Sequence, residues 1–380
     1  MKKKICFVIA SRANYGRIKS VLLQIKKSKK LILQIILTAS SLLEKYGDLR
    51  ALLRKDGFNF LEEAFVIVEG ENNLTMAKST GLSIIELSSA FSRLKPNVVV
   101  TVGDRYESLA TAIAASYMNI TLAHIQGGEI TGSIDESVRH AVTKLSHMHF
   151  AATEKAKKNI IRMGEDKRYV FNVGCPSLDL INQNKNLLKI KDLRKGVGKE
   201  IMLNNPYLLV VFHPVTTEYN EAYNQTRFLA EIVDKLDMQT IWMWPNIDSG
   251  TDKISKCLRQ YREKGLLKNV HFYKNFQVDD YNAILKNTAC AIGNSSSFIR
   301  EGSYLGVPAI ILGTRQDNRE SYKNLIRCSF FNKKKIINLI YKQMNKKYQK
   351  SKLYGNGKSA LKITKLLEKL SPPIQKKLKY

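Results

Sequence analysis

The run of residues 97–145 constrains the fold more strongly than any other part of this chain. Two short apolar segments, 97–102 and 120–125, are each followed by glycine and by charged or polar residues, with a helix-like segment between them. Strands that alternate with helices are typical of a parallel, doubly wound sheet, in which ligands bind beside the strand ends. We therefore expect the following side chains to gather at one sheet edge: Asp104, Arg105, His124, Gln126, Glu129 and Asp135.

The same alternation continues through the rest of the chain. In the first half, strands are predicted at 5–10, 32–38, 64–68, 149–152 and 169–173. Helices are predicted at 44–55, 75–93 and 154–163, and a further helix follows the loop 11–16 and runs to about residue 26. A polar segment at 182–205 leads to further strands at 207–212, 240–244, 270–273, 289–292 and 308–312. The predicted fold class is therefore α/β, with two Rossmann-like doubly wound domains that face each other across a cleft. We assign residues 1–175 to the first domain and 176–355 to the second.

Several of these strands end in turns that suit an anionic ligand. Residues 293–297, Gly-Asn-Ser-Ser-Ser, are the most specific candidate for phosphate, because a strand, a small-residue turn and a helix predicted to start near 298 expose N–H groups and hydroxyls together. The alternative is an ordinary helix cap that contains serines. Glu301 is predicted one turn into that helix, within reach of sugar hydroxyls, and Arg315 is placed to bind phosphate from the next strand end. Arg12, after the first strand, is either a phosphate contact or a plain surface residue.

Composition says more about the possible partners of the protein than about its fold. The 380 residues carry a formal net charge of +29, which suits nucleic acid, anionic lipid or an anionic small substrate. The chain is rich in Lys, Asn and Ile together, as an AT-rich coding sequence would be, so we interpret most lysines as solvated surface and expect no nucleic-acid partner. In the Lys-rich tail from 333 to 380, Glu368 is the single acidic residue, and a weak membrane-surface role is the alternative.

Two further features predict a cytoplasmic protein. No apolar run reaches 18 residues, so we expect no integral membrane segment, and the apolar segment 5–10 is too short for a signal peptide. The five cysteines are scattered without metal-ligand spacing, which predicts reduced core thiols and no metal site. We also expect no cofactor.

Taken in order, these motifs resemble the hydrolysing UDP-N-acetylglucosamine 2-epimerases, from about residue 5 to residue 320. The resemblance rests on Ser11-Arg12-Ala13, Gly103-Asp104-Arg105, residues 123–125 with 127–129, Asp135-Glu136 with Arg139-His140, residues 213–217, Pro245-Asn246, residues 293–296 with Arg300-Glu301, and residues 313–316. It implies the glycosyltransferase-B architecture, with UDP held mainly by the second domain and the sugar facing the first. It also implies that residues 356–380 form a helix that returns to the first domain, followed by a basic tail. We expect a homo-oligomer, either a dimer or a tetramer.

The resemblance also implies a reaction and a set of residues for it. In the family, the C2 proton of the sugar is removed as UDP leaves from C1, and water adds to the resulting glycal to release N-acetylmannosamine. This chemistry needs a positioned base, cationic stabilisation of UDP and a proton route for hydration. The implied catalytic residues are Asp104, Asp135, His213 and, in place of a missing carboxylate, Glu129. The implied substrate-binding residues are Arg12, Arg105, Gln126, Asn246, Gly293, Ser295, Ser296, Glu301 and Arg315, with Glu301 on the ribose.

Gln126 is where the chain departs from the family pattern. Relatives of the sialic-acid pathway carry His-Ile-Glu-Gly-Gly-Glu there, and an amide cannot exchange a proton at neutral pH. Either Glu129 takes over the role, or the sugar differs, or the reaction is slowed. The expected substrate is UDP-N-acetylglucosamine; the alternatives are a modified sugar such as UDP-diacetamido-trideoxyhexose, or a glycosyltransferase of the same fold. Asp135 has a purely structural alternative, as a residue in the first turn of a helix that pairs with Arg139.

Overall fold

The computed structural model describes residues 2–46, 48–183, 196–245, 248–330 and 332–379. Within these ranges the chain forms two seven-stranded sheets with helices on both faces. Alternate residues of the first strand show why both faces are covered. Ile5, Phe7 and Ile9 belong to one apolar core, and Cys6 and Val8 belong to another on the opposite face. A near-continuous apolar strand of this kind suits a sheet that is buried on both sides.

The first sheet is entirely parallel, in the order β3-β2-β1-β4-β5-β6-β7. Its strands are β1 (Lys3–Ile9), β2 (Leu31–Thr38), β3 (Glu62–Ala64), β4 (Val98–Val102), β5 (Thr121–Ile125), β6 (Met148–Ala151) and β7 (Val170–Asn172). Its helices are α1 (Arg12–Lys26), α2 (Leu49–Lys55), α3 (Asn73–Leu94), α4 (Tyr106–Tyr117), α5 (Ile134–Leu145) and α6 (Glu154–Arg162). The strand order reverses between β1 and β4, which is where such sheets open a ligand crevice.

The second sheet has the order β14-β13-β12-β9-β10-β11-β8 and is parallel except for β8. Its strands are β8 (Val197–Gly198), β9 (Leu208–Val211), β10 (Thr240–Met243), β11 (Val270–Tyr273), β12 (Cys290–Gly293), β13 (Ala309–Leu312) and β14 (Leu325–Cys328). The remaining helices are α7 (Ser177–Gln183), α8 (Ala222–Leu236), α9 (Thr251–Glu263), α10 (Val278–Asn287), α11 (Ser296–Ile299), α12 (Glu301–Leu305), α13 (Lys333–Met344) and α14 (Ser359–Lys369). Four short 3-10 helices lie at Ala39–Leu42, Glu44–Tyr46, Lys167–Tyr169 and Thr216–Glu221. In this sheet the strand order reverses between β9 and β12.

The predicted α/β class with two doubly wound sheets is confirmed, and every predicted strand is present within a few residues. One strand is displaced, because the segment predicted at 64–68 pairs with β2 only over Glu62–Ala64. The apolar residues that follow leave the sheet, and Phe65 is 66% exposed. The helix predicted at 44–55 is divided into Glu44–Tyr46 and α2. Part of the predicted link, residues 184–195, lies outside the described residues.

Helix α14 packs against α1 of the first sheet. Its residues Ile363 and Leu367 are fully buried in the same core as Ile18 and Leu22. The carboxylate of Asp179, on α7, accepts hydrogen bonds from the first two backbone N–H groups of α14, at 3.0 and 2.6 Å. No helix in the described part of the chain is both long and apolar enough to cross a membrane.

Candidate active site

The strand ends of the two sheets meet across a cleft that is closed by polar contacts. The backbone N–H of Gly132, in the loop after β5, donates to the carbonyl of Arg315, after β13, at 3.4 Å. Arg17, on α1, donates to Ser296 Oγ at 3.4 Å. Asn275 donates to the carbonyl of Tyr46 at 2.9 Å. The turns after β4, β5, β12 and β13, which the sequence predicts to hold the site, therefore face one another.

Asp104 lies in the turn after β4 and is held by cationic side chains. The fully buried Arg139, on α5, donates to its Oδ2 atom, and Arg319 approaches the same oxygen to 3.8 Å. Burial opposes the charge of Asp104, but Arg139, Arg17 and Arg319 together hold its pKa far below the usual range. Asp104 is therefore ionised at neutral pH.

Asp135, in the first turn of α5, lies in the opposite electrostatic situation. Burial raises its pKa to about 6, and the neighbouring negative charge of Asp104 adds to the rise. The guanidinium of Arg315 opposes the shift from 3.8 Å. The position of Asp135 in the first turn of α5 agrees with the structural alternative given above. The pairing with Arg139 that this alternative includes is not formed, because Arg139 binds Asp104 instead. Two carboxylates with pKa values driven apart are the usual arrangement for acid–base chemistry.

His213 follows β9 and is fixed through its backbone. Its N–H donates to Asn294 Oδ1 at 2.8 Å, and the Asn294 amide donates to the His213 carbonyl at 2.7 Å. Burial, with a contribution from Arg315, lowers the pKa of His213 to about 3. The imidazole is therefore neutral at physiological pH.

The turn after β12 depends on a glycine. Gly293 has φ +138°, and a Cβ atom there would lie 2.1 Å from the carbonyl oxygen of Val211, so no other residue fits. The next residues start α11, where Ser295 Oγ accepts from the N–H of Ser297 at 3.3 Å. The serine cap that was the alternative to a phosphate site is thus present. The hydroxyl of the next residue, Ser296, accepts the hydrogen bond from Arg17.

Glu129 is bound more completely than the sequence implied. Arg300 donates to both of its carboxylate oxygens, at 2.9 and 2.8 Å, and Arg319 Nε lies 3.2 Å from one of them. These arginines lower the pKa of Glu129 despite its burial. Because the carboxylate is engaged by two guanidinium groups from the second domain, this geometry favours an interdomain positioning role over a proton-transfer role.

The other predicted binding residues lie at different depths in the cleft. Arg105 donates to Asp248 at 2.5 Å, and Arg315 approaches the second oxygen of Asp248 to 3.7 Å. Arg12 is half-buried and donates to the carbonyl of Asp48 at 3.5 Å. Glu301 begins α12 and accepts from Ser177 at 2.5 Å. Asn246 lies outside the described residues.

Sequence reasoning overlooked five charged residues of the cleft, which are Arg17, Arg139, Asp248, Arg300 and Arg319. Arg139 and Arg300 belong to motifs named above, so their position close to Asp135 and Glu301 in the sequence was an available signal. Asp248 and Arg319 lie in irregular segments, where no periodic pattern marks them. His124, in contrast, is a structural residue that donates to the Gly103 carbonyl at 2.8 Å and so supports the Asp104 turn.

Two facing doubly wound domains with a polar cleft between their strand ends define a protein of glycosyltransferase-B architecture. The chain belongs to the UDP-N-acetylglucosamine 2-epimerase family, whose model matches residues 23–368.

Relatives of known name are similar over almost the whole chain. A "UDP-N,N'-diacetylbacillosamine 2-epimerase (hydrolyzing)" of Legionella pneumophila is 32% identical over 370 residues, which cover 97% of this chain and 96% of the relative. A "GDP/UDP-N,N'-diacetylbacillosamine 2-epimerase (hydrolyzing)" of Campylobacter jejuni is 34% identical over 327 residues, 86% of this chain and 84% of the relative. The crystal structure of Methanocaldococcus jannaschii UDP-GlcNAc 2-epimerase in complex with UDP-GlcNAc and UDP superposes with a TM-score of 0.79 at 22% identity, covering 96% and 99% of the two chains.

Proposed function

We propose that this protein is a hydrolysing 2-epimerase that converts a UDP-linked 2-acetamido sugar and water into UDP and the free 2-epimer. The observation that carries the proposal is the pair formed by Asp104 and Asp135, of which one stays ionised and the other has its pKa raised to about 6. Membership of the family and the word "hydrolyzing" in the names of two relatives support the same reaction class.

In the first step, the ionised form of Asp135 accepts the proton from C2 of the sugar. The electron pair of the C2–H bond forms the C1–C2 double bond, and the C1–O bond breaks with its electron pair leaving on UDP. A pKa near 6 lets Asp135 exist as the base at neutral pH and still hold the proton once it is transferred. Arg105, Arg315 and Arg17 supply the positive charge that stabilises the departing diphosphate, a role supported by their contacts with Asp248 and Ser296 in the cleft.

In the second step, water adds to the glycal. The electrons of the C1–C2 double bond take a solvent-derived proton at C2, on the face opposite to the one from which the first proton was removed, and this inverts that centre. The water oxygen bonds to the resulting oxocarbenium carbon C1 and releases one proton to solvent. Asp104 remains ionised beside Arg139, which suits it to orient and polarise the water rather than to donate a proton. The neutral imidazole of His213 can hydrogen-bond to the sugar or the diphosphate without adding charge.

Two sugars are candidates for the substrate. The relatives that share at least 30% identity with long coverage include two that are named for UDP-N,N'-diacetylbacillosamine, and this favours the diacetamido sugar. UDP-N-acetylglucosamine, in the name of the family, is the second candidate. Gln126 supports a sugar different from that of relatives with a carboxylate at this position, because an amide offers a different hydrogen-bond partner.

The proposal is tested by incubating the protein in D₂O with each nucleotide sugar and following UDP and the sugar by NMR. We expect release of UDP together with a free sugar that is inverted at C2 and carries deuterium there. UDP release that requires an acceptor and leaves C2–H intact would indicate a glycosyltransferase instead. An epimer that is still linked to UDP would also contradict the hydrolysing reaction.

A further inference from the structure

The backbone and side chain of Gln126 are both unusual for a residue at the end of a strand. Its φ is +67°, a left-handed conformation that residues other than glycine adopt at a cost and that clusters at functional sites. Its side chain is fully buried. The amide Nε2 donates to the Sγ atom of Cys175 at 3.1 Å, whereas Oε1 has no hydrogen-bond partner among the described residues. A buried acceptor without a partner carries a free-energy cost unless a ligand satisfies it.

Cys175 continues a chain of hydrogen bonds that reaches the second domain. Its Sγ lies 3.0 Å from Ser177 Oγ, and Ser177 donates its single hydroxyl proton to Glu301 at 2.5 Å. Ser177 must therefore accept from Cys175, so the sulfur carries a proton. Burial raises the pKa of Cys175 to about 11, in agreement with a neutral thiol. The direction of every bond, from Gln126 to Glu301, is thereby fixed.

The hydrogen-bond chain borders the cleft and runs along the segment that joins the two domains. Cys175 is close enough to Arg17 and Arg300 for their charges to interact with it. Its backbone N–H donates at 2.7 Å to the carbonyl of Tyr354, in the segment that leads back to the first domain. The thiol is thus anchored where both connections between the domains cross.

We propose that Cys175 is a positioning residue whose thiol holds the Gln126 amide with its oxygen turned toward the bound sugar. Gln126 Oε1 then accepts a hydrogen bond from a hydroxyl or amide N–H group of the substrate. Without an acceptor at Sγ, the amide is able to flip and present its NH₂ group instead, which cannot accept. This inference rests on the proposed function and assigns to Gln126 recognition of the sugar rather than proton transfer.

The test is a double-mutant cycle with Gln126→Met and Cys175→Ala, in which kcat and KM for UDP release and the Kd of UDP alone are measured. Each single variant should raise KM by about five- to tenfold, the loss expected for one neutral hydrogen bond, with a smaller effect on kcat. The Kd of UDP should not change, because the amide contacts only the sugar. The double variant should be no worse than Gln126→Met, since Cys175 acts through Gln126. Effects that multiply would overturn the inference.

Two controls separate positioning from general damage to the core. Cys175→Ser retains a hydrogen-bond donor and acceptor, so its KM should stay close to that of the wild type. Cys6→Ala, which removes a fully buried thiol from β1, should leave KM unchanged. Equal KM values for Cys175→Ser and Cys175→Ala would contradict the role in positioning. If the wild-type protein turns over neither nucleotide sugar, the proposed function fails. The same cycle, measured as the Kd of UDP-N-acetylglucosamine, then decides the inference.

Discussion

At the scale of single residues, the opposite pKa shifts of Asp104 and Asp135 are the most informative property of the cleft. Both carboxylates are partly buried, so burial alone raises both pKa values. The difference comes from the arginines, because Arg139 contacts Asp104 directly whereas Arg315 stays 3.8 Å from Asp135. The arginines around Asp104, with Arg139 in direct contact, thus decide which of the two acids has the raised pKa.

The first prediction concerns the pH dependence of activity. In the proposed mechanism Asp135 acts as a base in its ionised form, so kcat/KM for UDP release should fall about tenfold per pH unit as the pH drops below about 6. Asp135→Asn should lower kcat/KM at pH 7.5 by about 10² or more and remove this dependence. Asp279→Asn, an exposed residue in the first turn of α10, is the matched control and should change neither. A wild-type profile that is flat from pH 5 to 8 would contradict the assignment.

The second prediction is that the same substitution stabilises the protein. The pKa of Asp135 is higher in the folded state than its ordinary value of 3.8, so the stability contributed by its protonated form is lost as pH rises through about 6. Asp135→Asn should therefore raise the free energy of unfolding at pH 7.5 by about 1 to 2 kcal/mol. The difference should shrink as the pH falls and be small at pH 3.5, where the carboxyl is mostly protonated in both states. Thermal unfolding at pH 7.5 and pH 3.5 checks this, and a loss of stability at pH 7.5 would contradict it.

Sequence reasoning reached the residues that follow strands but not the partners that define their chemistry. Asp104 and Gln126 come directly after apolar runs, so local pattern and the rules of parallel sheets suffice to bring them together. Arg319 lies in an irregular segment some 190 residues after Glu129, and its contact exists only because the two domains dock. A proton-transfer role for Glu129 does not account for these arginines, whose positions no local pattern encodes.

At the scale of elements, α14 covers part of the first domain, whose first strand and helix lie at the other end of the chain. Its apolar face, with Ile363 and Leu367, covers α1, while Leu361 on the same helix is 42% exposed. The resemblance led to the expectation of a returning helix at this position. The cap that Asp179 supplies to α14 was not foreseen, because donor and acceptor lie 180 residues apart.

The third prediction compares two leucines of α14. Leu367→Ala removes a fully buried side chain and should lower the free energy of unfolding of the first domain by about 2 to 5 kcal/mol. Leu361→Ala, in the same helix but exposed, should change it by less than about 0.5 kcal/mol. Trp242 and Trp244 both lie in the second domain, so tryptophan fluorescence reports the unfolding of that domain. In Leu367→Ala, the midpoint of denaturant unfolding measured by tryptophan fluorescence should therefore shift less than the midpoint measured by circular dichroism. Equal effects of the two leucines would show that α14 is not part of this core.

The two strands that the sequence does not predict, β8 and β14, share a physical reason. β8 and β14 are edge strands of two and four residues, and neither has the continuous apolar character of the central strands. Gly198 is one of the two residues of β8, and β14 contains the charged Arg327. Edge strands owe their conformation to the neighbour that pairs with them, whereas central strands are marked by burial on both faces.

At the scale of the whole molecule, the two domains are joined by buried ion pairs and by close backbone contact. Arg300 and Glu129 pair across the cleft with both side chains buried, and Arg105 pairs with Asp248. Gly132 lies so close to the second domain that a Cβ atom there would be 2.0 Å from the carbonyl oxygen of Thr314. Because its φ lies outside the left-handed region, an alanine at 132 conflicts only with the other domain.

The fourth prediction uses this contact. Gly132→Ala should separate the loop from Thr314 and lower kcat/KM by about tenfold or more, because small misplacements of catalytic groups are costly. Its thermal unfolding midpoint should stay close to that of the wild type. Gly81→Ala is the control, since a Cβ atom at this position in α3 meets nothing within 4 Å, and it should stabilise the protein by about 0.5 to 1 kcal/mol without affecting activity. Full activity of Gly132→Ala would indicate that the contact is not required for turnover.

The contacts between the first strand and the last helix also determine when the first domain is able to finish folding during synthesis. Lys3, in β1, donates to the carbonyls of Leu367 and Leu370, at 3.0 and 2.7 Å, and α14 supplies part of the core beneath α1. The ribosome makes Lys3 and Leu367 364 residues apart. The growing chain must therefore carry an uncovered apolar face on α1 until the second domain has been translated, which makes this face a natural site for a chaperone to protect.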